Sequence, residues 1–367
     1  SKPRCENVFS DILYQPFFCT HITLEIYASS IPRKNAISRL TNLSHSEFSE
    51  NWGNKPFILT QPVKEWPVFK TWNFNDMLMR YGHVKFRAEE VKWRLDDYFA
   101  YMKNNSDESP LYLFDKNFYE KMNLQTTRFG SSSYWTPECF DEDLFTLLGD
   151  QRPDFRWLII GPERSGSTFH KDPIATSAWN AVLRGSKYWI MFPTTESFSS
   201  PPGVYVSKDE SEVTSPLSIA EWLLGFHAKA RKLPECVEGI CREGEILYVP
   251  SGWWHLVINL EPTIAVTQNF VPKVHLSKVL AFLKDKPDQA SGFSKDVADP
   301  YRLFHDRIRE ENPDLLDTAL YEMQSHACNR KRKWDTILGN RENAQAFTFN
   351  FADIHCDEGN TNNEINE

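Results

Sequence analysis

The pattern of apolar and polar residues changes near residue 155 of this 367-residue chain. From there to about residue 272, short runs of aliphatic, aromatic and β-branched residues recur, separated by Gly, Pro and Arg-Gly turns. Many short strands with tight turns are typical of an antiparallel sandwich or barrel. One helical pattern, Ser218–Leu233, interrupts them and indicates a long insert. The β-type runs are Trp157–Ile160, Ser177–Leu183, Lys187–Phe192, Glu245–Val249, Trp254–Leu260 and Thr263–Val271.

Helical periodicity flanks this β region on both sides. Asn73–Tyr81 predicts a helix that begins at a polar cap, and Trp93–Lys103 places its apolar residues on one side. The same region contains a predicted strand, Lys55–Thr60, and a short helix, Asp141–Leu148, with acidic residues at its start. Amphipathic stripes predict further helices over Leu276–Leu283, Pro300–Glu310 and Pro313–Ser325.

These patterns predict a mainly β protein with flanking helices, divided into four parts. Residues 1–150 form a mixed α/β N-terminal region that packs on the barrel, and residues 151–272 form the β core. Residues 273–352 form a C-terminal helical region, and residues 353–367 form an acidic, Asn-rich tail that we expect to be solvated.

Composition narrows the classes of function. The chain has no apolar run near the roughly 18 residues that a membrane span needs. Its 41 Lys and Arg against 50 Asp and Glu give a net charge of −9, which disfavours nucleic acid and suits a basic peptide. The seven cysteines are an odd number and widely spread, so we expect free thiols in a reducing compartment. The expected location is nuclear and/or cytoplasmic.

His170 and Asp172 lie two residues apart within the β region. On a strand such residues share a face, so one imidazole and one carboxylate could bind a single ion. His255, at the start of another predicted strand, would add a second imidazole and complete a facial triad with open positions, which iron(II) uses for a co-substrate and dioxygen. Taken alone, a histidine such as His255 is more often a packed residue, here beside two tryptophans, than a metal ligand. The other His-x-acid pairs, His45–Glu47 and His355–Asp357, lie in polar stretches without this context.

Lys187 opens a predicted strand whose next alternate positions, Trp189 and Met191, are apolar. A lysine on an inward, apolar face is costly unless it is paired, and a dicarboxylate co-substrate would pair with it. Asn180 and Thr267, in neighbouring β segments, could hydrogen-bond the same carboxylates. The alternatives are a solvent-exposed lysine at a strand end and two structural polar residues.

These motifs occur in a specific order: His170-x-Asp172, then Thr176–Lys187, Val249–His255 and Thr267–Phe270. Over about residues 50–272 the chain resembles the JmjC oxygenases, which are iron(II)- and 2-oxoglutarate-dependent enzymes on a cupin-type double-stranded β-helix, or jelly roll. The most similar branch is the phosphatidylserine-receptor-like one, whose members are bifunctional arginine demethylase and lysyl hydroxylase candidates. The Gly161–Gly166 motif (Gly-Pro-x-Arg-Ser-Gly) also resembles that branch.

The resemblance implies roles for individual residues. His170, Asp172 and His255 match the iron ligands and therefore the catalytic centre. Lys187 matches the residue that pairs with the distal carboxylate of 2-oxoglutarate. Asn180 and Thr267 match further co-substrate contacts, and Tyr112 and Phe114 match residues that line its pocket. Ser167 stands where the branch has a threonine that touches the co-substrate, so the hydroxyl is retained.

The resemblance also implies an activity. We expect an iron(II)- and 2-oxoglutarate-dependent dioxygenase that hydroxylates a Lys or Arg side chain or demethylates a methylated histone or other protein residue. A non-catalytic binding module on the same fold is one alternative. An RNA hydroxylase is another, and the acidic charge argues mildly against it.

Several signals leave two interpretations open. Cys236 and Cys241, with His227 nearby, form either part of a zinc site or buried free thiols. The basic run Arg330–Lys333 indicates either nuclear localisation or a solvated helix end. The C-terminal apolar stripes would pack on the barrel or form a homodimer, and an F-box partner region could precede residue 1.

Overall fold

The computed structural model describes residues 19–124, 134–140, 142–195 and 197–325. The predictions for the acidic tail and for the basic run Arg330–Lys333 therefore lie outside the described residues. None of the described helices combines the length and the apolarity that crossing a bilayer requires.

The described residues contain fifteen strands, named here β1 to β15 in chain order. The N-terminal strands are β1 (Ser38–Leu40), β2 (Phe57–Leu59), β3 (Lys85–Ala88), β4 (Val91–Arg94) and β5 (Leu113–Asp115). The remaining strands are β6 (Arg156–Gly161), β7 (Gly166–His170), β8 (Ser177–Arg184), β9 (Ser186–Phe192), β10 (Tyr205–Val206), β11 (Val213–Thr214), β12 (Val237–Arg242), β13 (Glu245–Val249), β14 (Trp254–Asn259) and β15 (Thr263–Phe270).

Two sheets form the barrel. The larger has nine strands in the order β1-β2-β13-β8-β15-β6-β5-β3-β4, and the smaller has four in the order β12-β9-β14-β7. Every pairing is antiparallel except that of β1 with β2. Buried residues of both sheets, such as Val182 and Leu247 from one and Trp189 and Val257 from the other, pack into one core. This is the jelly roll that the sequence predicts, and β1 to β5 extend its larger sheet.

Short helices surround the barrel. The α-helices are Leu24–Ala28, His45–Glu47, Pro67–Thr71, Phe74–Tyr81, Leu95–Asn104, Phe118–Lys121, Ile219–Gly225, His227–Ala230, Leu276–Asp285 and Pro300–Glu311, and residues 313–325 are also helical. The 3-10 helices are Arg33–Asn35, Pro62–Glu65, Glu138–Phe140, Leu144–Gln151, Pro173–Ala175, Lys273–His275 and Pro287–Gln289, and Phe48–Trp52 is a π-helix.

The six β segments of the core, the strand within Lys55–Thr60 and the helix capped by Asn73 are confirmed. The predicted start of one helix is wrong, because Trp93 and Arg94 belong to β4 and the helix begins at Leu95. The predicted helix Ser218–Leu233 is two helices, because the helical conformation is interrupted at Phe226, directly after Gly225.

The C-terminal helices pack on the barrel. Phe304, Ile308 and Leu316 are fully buried in a cluster that includes Phe145 and Val271. The apolar side of these helices is therefore covered within one chain, and a homodimer through them stays a prediction.

Candidate active site

One group of potential metal ligands is present among the described residues, and it consists of His170, Asp172 and His255. Their ligand atoms all lie within 4.8 Å of one another. His170 ends β7 and His255 lies directly opposite it on β14, with the two ring centroids 4.1 Å apart. His255 is the most buried of the three and His170 the most exposed.

The position of Asp172 beside the two histidines is set by a turn and not by the strand that its spacing predicts. We expected Asp172 to share a strand face with His170, but β7 ends at His170 and Asp172 precedes the turn Pro173–Ala175. Within that turn Ile174 and Ala175 have φ of 57° and 52°. Left-handed backbone is costly for residues with a Cβ and is concentrated at functional sites. The turn, rather than strand periodicity, therefore places the carboxylate.

Main-chain carbonyls orient both imidazoles. Nδ1 of His170 lies 2.8 Å from the carbonyl oxygen of Thr168, and Nδ1 of His255 lies 3.1 Å from that of Trp253. A carbonyl accepts only from a protonated Nδ1, so in the neutral form of each ring the lone pair lies on Nε2, where a metal could bind it. Burial, together with the neighbouring His170, holds the pKa of His255 well below its usual value, which keeps this ring neutral.

The Asp172 carboxyl group is poised for a cation. Burial raises its pKa to about 6, while His170 and a hydrogen bond with Asn269 oppose the shift. Its Oδ2 atom is buried and has no hydrogen-bond partner among the described residues. An unpaired buried carboxylate oxygen is expensive, and a cation bound there would remove the cost. Two imidazole nitrogens and one carboxylate are the donor set that non-haem iron(II) favours, so these residues fit that ion.

A cavity of about 200 Å³ extends from the triad into the barrel. Its volume is below the roughly 300–1,000 Å³ of sites for drug-sized ligands, so it suits a small molecule. The predicted co-substrate residues Tyr112, Phe114, Ser167, Asn180 and Thr267 all line it.

Lys187 lies behind the wall of this cavity. It is fully buried, and its Nζ donates to the hydroxyl of Tyr112 at 2.6 Å and to Oδ1 of Asn259 at 2.8 Å. Burial lowers its pKa to about 7. An ammonium has three donors, so one remains without a protein acceptor among the described residues.

Asn180, Thr267 and Phe114 line the cavity with an amide oxygen, a hydrogen-bonded hydroxyl and an aromatic ring, respectively. Oδ1 of Asn180 is buried without a partner among the described residues, whereas the Thr267 hydroxyl donates to the carbonyl of Trp179 at 2.9 Å. Phe114 is exposed and stacks on Trp157, with ring centroids 5.4 Å apart.

Three residues of the site were not anticipated from the sequence. Asn259 contacts Lys187, Asn269 contacts Asp172, and Trp189 stacks beside His255 at 5.9 Å. The spacing carries a signal for Asn259, because it lies four residues after His255 on the same strand.

The Cys236 and Cys241 pair does not form a metal group with His227 among the described residues. Both thiols are buried and free. The His227 ring instead lies 2.9 Å from both the Tyr188 hydroxyl and the Glu238 carboxylate. Buried free thiols are the interpretation that the structure supports.

Comparison with known proteins agrees with this geometry. The cupin-like domain family matches residues 47–275. Arginine-specific demethylase JMJ22 of Arabidopsis thaliana is 39% identical over 96% of this chain and 68% of its own length. The bifunctional arginine demethylase and lysyl-hydroxylase psr-1 of Caenorhabditis elegans is 32% identical over 78% of this chain and 71% of its own.

A third relative bears a name that specifies its cofactors. The 2-oxoglutarate and iron-dependent oxygenase JMJD4 of Danio rerio is 32% identical over 50% of this chain and 41% of its own length. With the jelly roll and the His-Asp-His group already described, these matches show that the chain belongs to the cupin-like JmjC family.

Proposed function

We propose that this protein is an iron(II)- and 2-oxoglutarate-dependent dioxygenase that oxidises a Lys or Arg side chain of a protein substrate. The observation that carries the proposal is the convergence of His170, Asp172 and His255 beside a small cavity that has the buried Lys187 behind it. The names of the relatives, which include arginine demethylase and lysyl-hydroxylase, support the substrate class.

The triad would hold the iron, because it provides two imidazoles and an unpaired carboxylate oxygen. Iron(II) with 2-oxoglutarate and dioxygen would supply the oxidation of a substrate C–H bond, with succinate and carbon dioxide as by-products. Hydroxylation of a carbon gives an alcohol, and hydroxylation of an N-methyl group leads to loss of formaldehyde and thus to demethylation.

The cavity residues would position the co-substrate. The free donor of Lys187 would pair with the distal carboxylate of 2-oxoglutarate, and the apolar walls formed by Ile159, Ala178 and Val257 exclude water around it. Asn180, Thr267 and Ser167 offer polar groups to the carboxylates. The protein's contribution is therefore orientation of the reacting groups in a dry site.

The substrate would approach His170 from outside the small cavity. A cleft of about 480 Å³ is lined by His170 and Ser167 and also by Glu89 and Glu108. Neither carboxylate has an ion-pair partner among the described residues, so both favour a cationic side chain. Arg164 in the same cleft offsets part of this charge.

The test is incubation of the protein with iron(II), 2-oxoglutarate and peptides that contain Arg or Lys, with and without N-methyl groups. We expect succinate, and mass spectrometry should show either a gain of one oxygen atom or the loss of a methyl group. Iron binding without any succinate would overturn the proposal and favour the non-catalytic binding module.

Cellular location and assembly remain predictions. A nuclear and/or cytoplasmic location can be tested by imaging the tagged chain with and without the Arg330–Lys333 run. A homodimer can be tested by static light scattering of the purified protein, and an F-box partner by affinity purification of the protein from cells followed by mass spectrometry.

A further inference from the structure

The Gly161–Gly166 motif does not take part in the chemistry described above, yet it lies against the partner of Lys187. Asn259 ends β14 directly opposite Lys187 on β9, and both side chains are fully buried. The amide oxygen of Asn259 accepts from the Lys187 ammonium at 2.8 Å. The orientation of the Asn259 amide therefore determines whether the Lys187 ammonium faces a hydrogen-bond acceptor (Oδ1) or a donor (Nδ2).

The loop fixes that orientation through main-chain and side-chain contacts. The N–H of Arg164 donates to the Asn259 carbonyl at 2.9 Å, and the Asn259 N–H donates to the Ser165 carbonyl at 2.8 Å. Nδ2 of Asn259 donates to the Ser165 hydroxyl at 2.8 Å and lies 3.4 Å from the Pro162 carbonyl. Because Nδ2 is occupied by these acceptors, Oδ1 is turned toward Lys187.

Gly161 is required for this close packing. A Cβ there would lie 2.2 Å from the Ser165 hydroxyl, 2.7 Å from the Tyr112 ring and 2.8 Å from Nδ2 of Asn259. These atoms belong to the loop and to both partners of Lys187, so a side chain at this position would disturb them together.

We propose that Asn259, held by the Gly161–Ser165 loop, is a positioning residue that directs the remaining Lys187 donor to the distal carboxylate of the co-substrate. The proposal rests on the proposed function, because it assigns the loop a role in binding 2-oxoglutarate. It differs from a purely structural role, in which loss of Asn259 would weaken every ligand of the cavity equally.

Two 2-oxo acids separate these roles. 2-Oxovalerate matches 2-oxoglutarate except that a methyl group replaces the distal carboxylate, so it lacks the group that Lys187 would bind. The dissociation constants of both acids are measured by calorimetry, without oxygen, on the iron(II)-loaded protein. Asn259→Asp keeps the shape of the side chain but places a carboxylate beside Lys187, where it competes with the ligand.

We expect Asn259→Asp to raise the dissociation constant of 2-oxoglutarate about tenfold or more and to leave that of 2-oxovalerate unchanged. Ser165→Ala removes the nearer acceptor for Nδ2 and the hydrogen bond from the Ser165 hydroxyl to the Pro162 carbonyl. It should give a smaller loss of about threefold and serves as the second variant should Asn259→Asp not fold. Asn35→Asp is the matched control, because Asn35 is buried and bonded to the Cys236 carbonyl but does not line the cavity.

Equal losses for both acids, or no loss for either, would overturn the positioning role while leaving the proposed function intact. Failure of the unaltered protein to bind 2-oxoglutarate would overturn both. The two failures are therefore distinguishable from the unaltered protein alone.

Discussion

The two ends of the cavity bury groups of opposite charge: a carboxylate at one end and an ammonium at the other. The metal end, formed by His170, Asp172 and His255, has a buried carboxylate oxygen without a partner among the described residues and a histidine held neutral. The lysine end, formed by Lys187, Tyr112 and Asn259, has a buried cation with two hydrogen-bond partners. The metal end is completed by a cation, whereas the lysine end is completed by an anion.

This difference shows what kind of molecule fits between them. A small acid that chelates a metal through one end and carries a carboxylate at the other satisfies both ends at once, and 2-oxoglutarate has that form. Substitutions at the two ends should therefore have separable effects. Changes at the metal end should abolish metal binding, whereas changes at the lysine end should weaken only the binding of 2-oxoglutarate.

The largest effect is expected from Asp172→Ala. Loss of the carboxylate removes one of three metal ligands, so iron(II) affinity should fall about 100-fold or more and succinate formation should cease. His45→Ala is the matched control, because His45 belongs to a similar His-x-acid pair on an exposed helix away from the cavity. Full turnover by Asp172→Ala, measured as succinate, would be incompatible with the assigned metal end.

Lys187→Met should break the other end alone. Removing the buried ammonium leaves the distal carboxylate without its counter-ion, so the KM for 2-oxoglutarate should rise about 100-fold. Iron(II) affinity, measured by calorimetry, should stay the same because Lys187 does not contact the triad. A parallel loss of iron binding would show that the two ends are not independent.

The pH dependence of co-substrate binding should sharpen the comparison. The pKa of Lys187 is lowered to about 7, so below pH 7 the amine is already protonated and above it a proton must be taken up when the carboxylate binds. The dissociation constant of 2-oxoglutarate should therefore be flat below pH 7 and rise up to about tenfold per pH unit above it. Lys187→Arg, which stays charged, should remove this dependence; a flat profile for the unaltered protein between pH 7 and 9 would count against a titrating lysine.

The smallest effect on the cavity is expected from Phe304→Ala in the C-terminal helix Pro300–Glu311. Phe304 is fully buried against Phe145, with ring centroids 4.8 Å apart, so its truncation should lower the free energy of unfolding by about 3–5 kcal/mol. Thermal unfolding should shift while the affinities for iron(II) and 2-oxoglutarate remain. Altered affinities would indicate that the helical region also shapes the site.

The sequence predicted the strands whose buried residues alternate or run continuously, such as β8 and β15. It did not predict β3 and β4. β3 is only four residues long, so its alternation of exposed and buried residues is too short to stand out, and the residues of β4 are all exposed or partly exposed. The break at Phe226 was missed since helical periodicity continues across it.

The residue types of the candidate site could be predicted from the sequence, but the positions of some of its residues could not. Its residue types followed from motif and resemblance, but the position of Asp172 depends on left-handed residues in the turn Pro173–Ala175, which no periodicity reveals. Asn259 was missed because its role depends on a strand register and a loop that meet only in the folded chain.

The most direct test of the account is X-ray absorption at the iron edge, combined with anaerobic titration of iron(II) into the unaltered chain and into His255→Ala. The account predicts one iron per chain, bound by two imidazole nitrogens and a carboxylate oxygen, and loss of this species in the variant. Stoichiometric iron with the same spectrum in His255→Ala would contradict it.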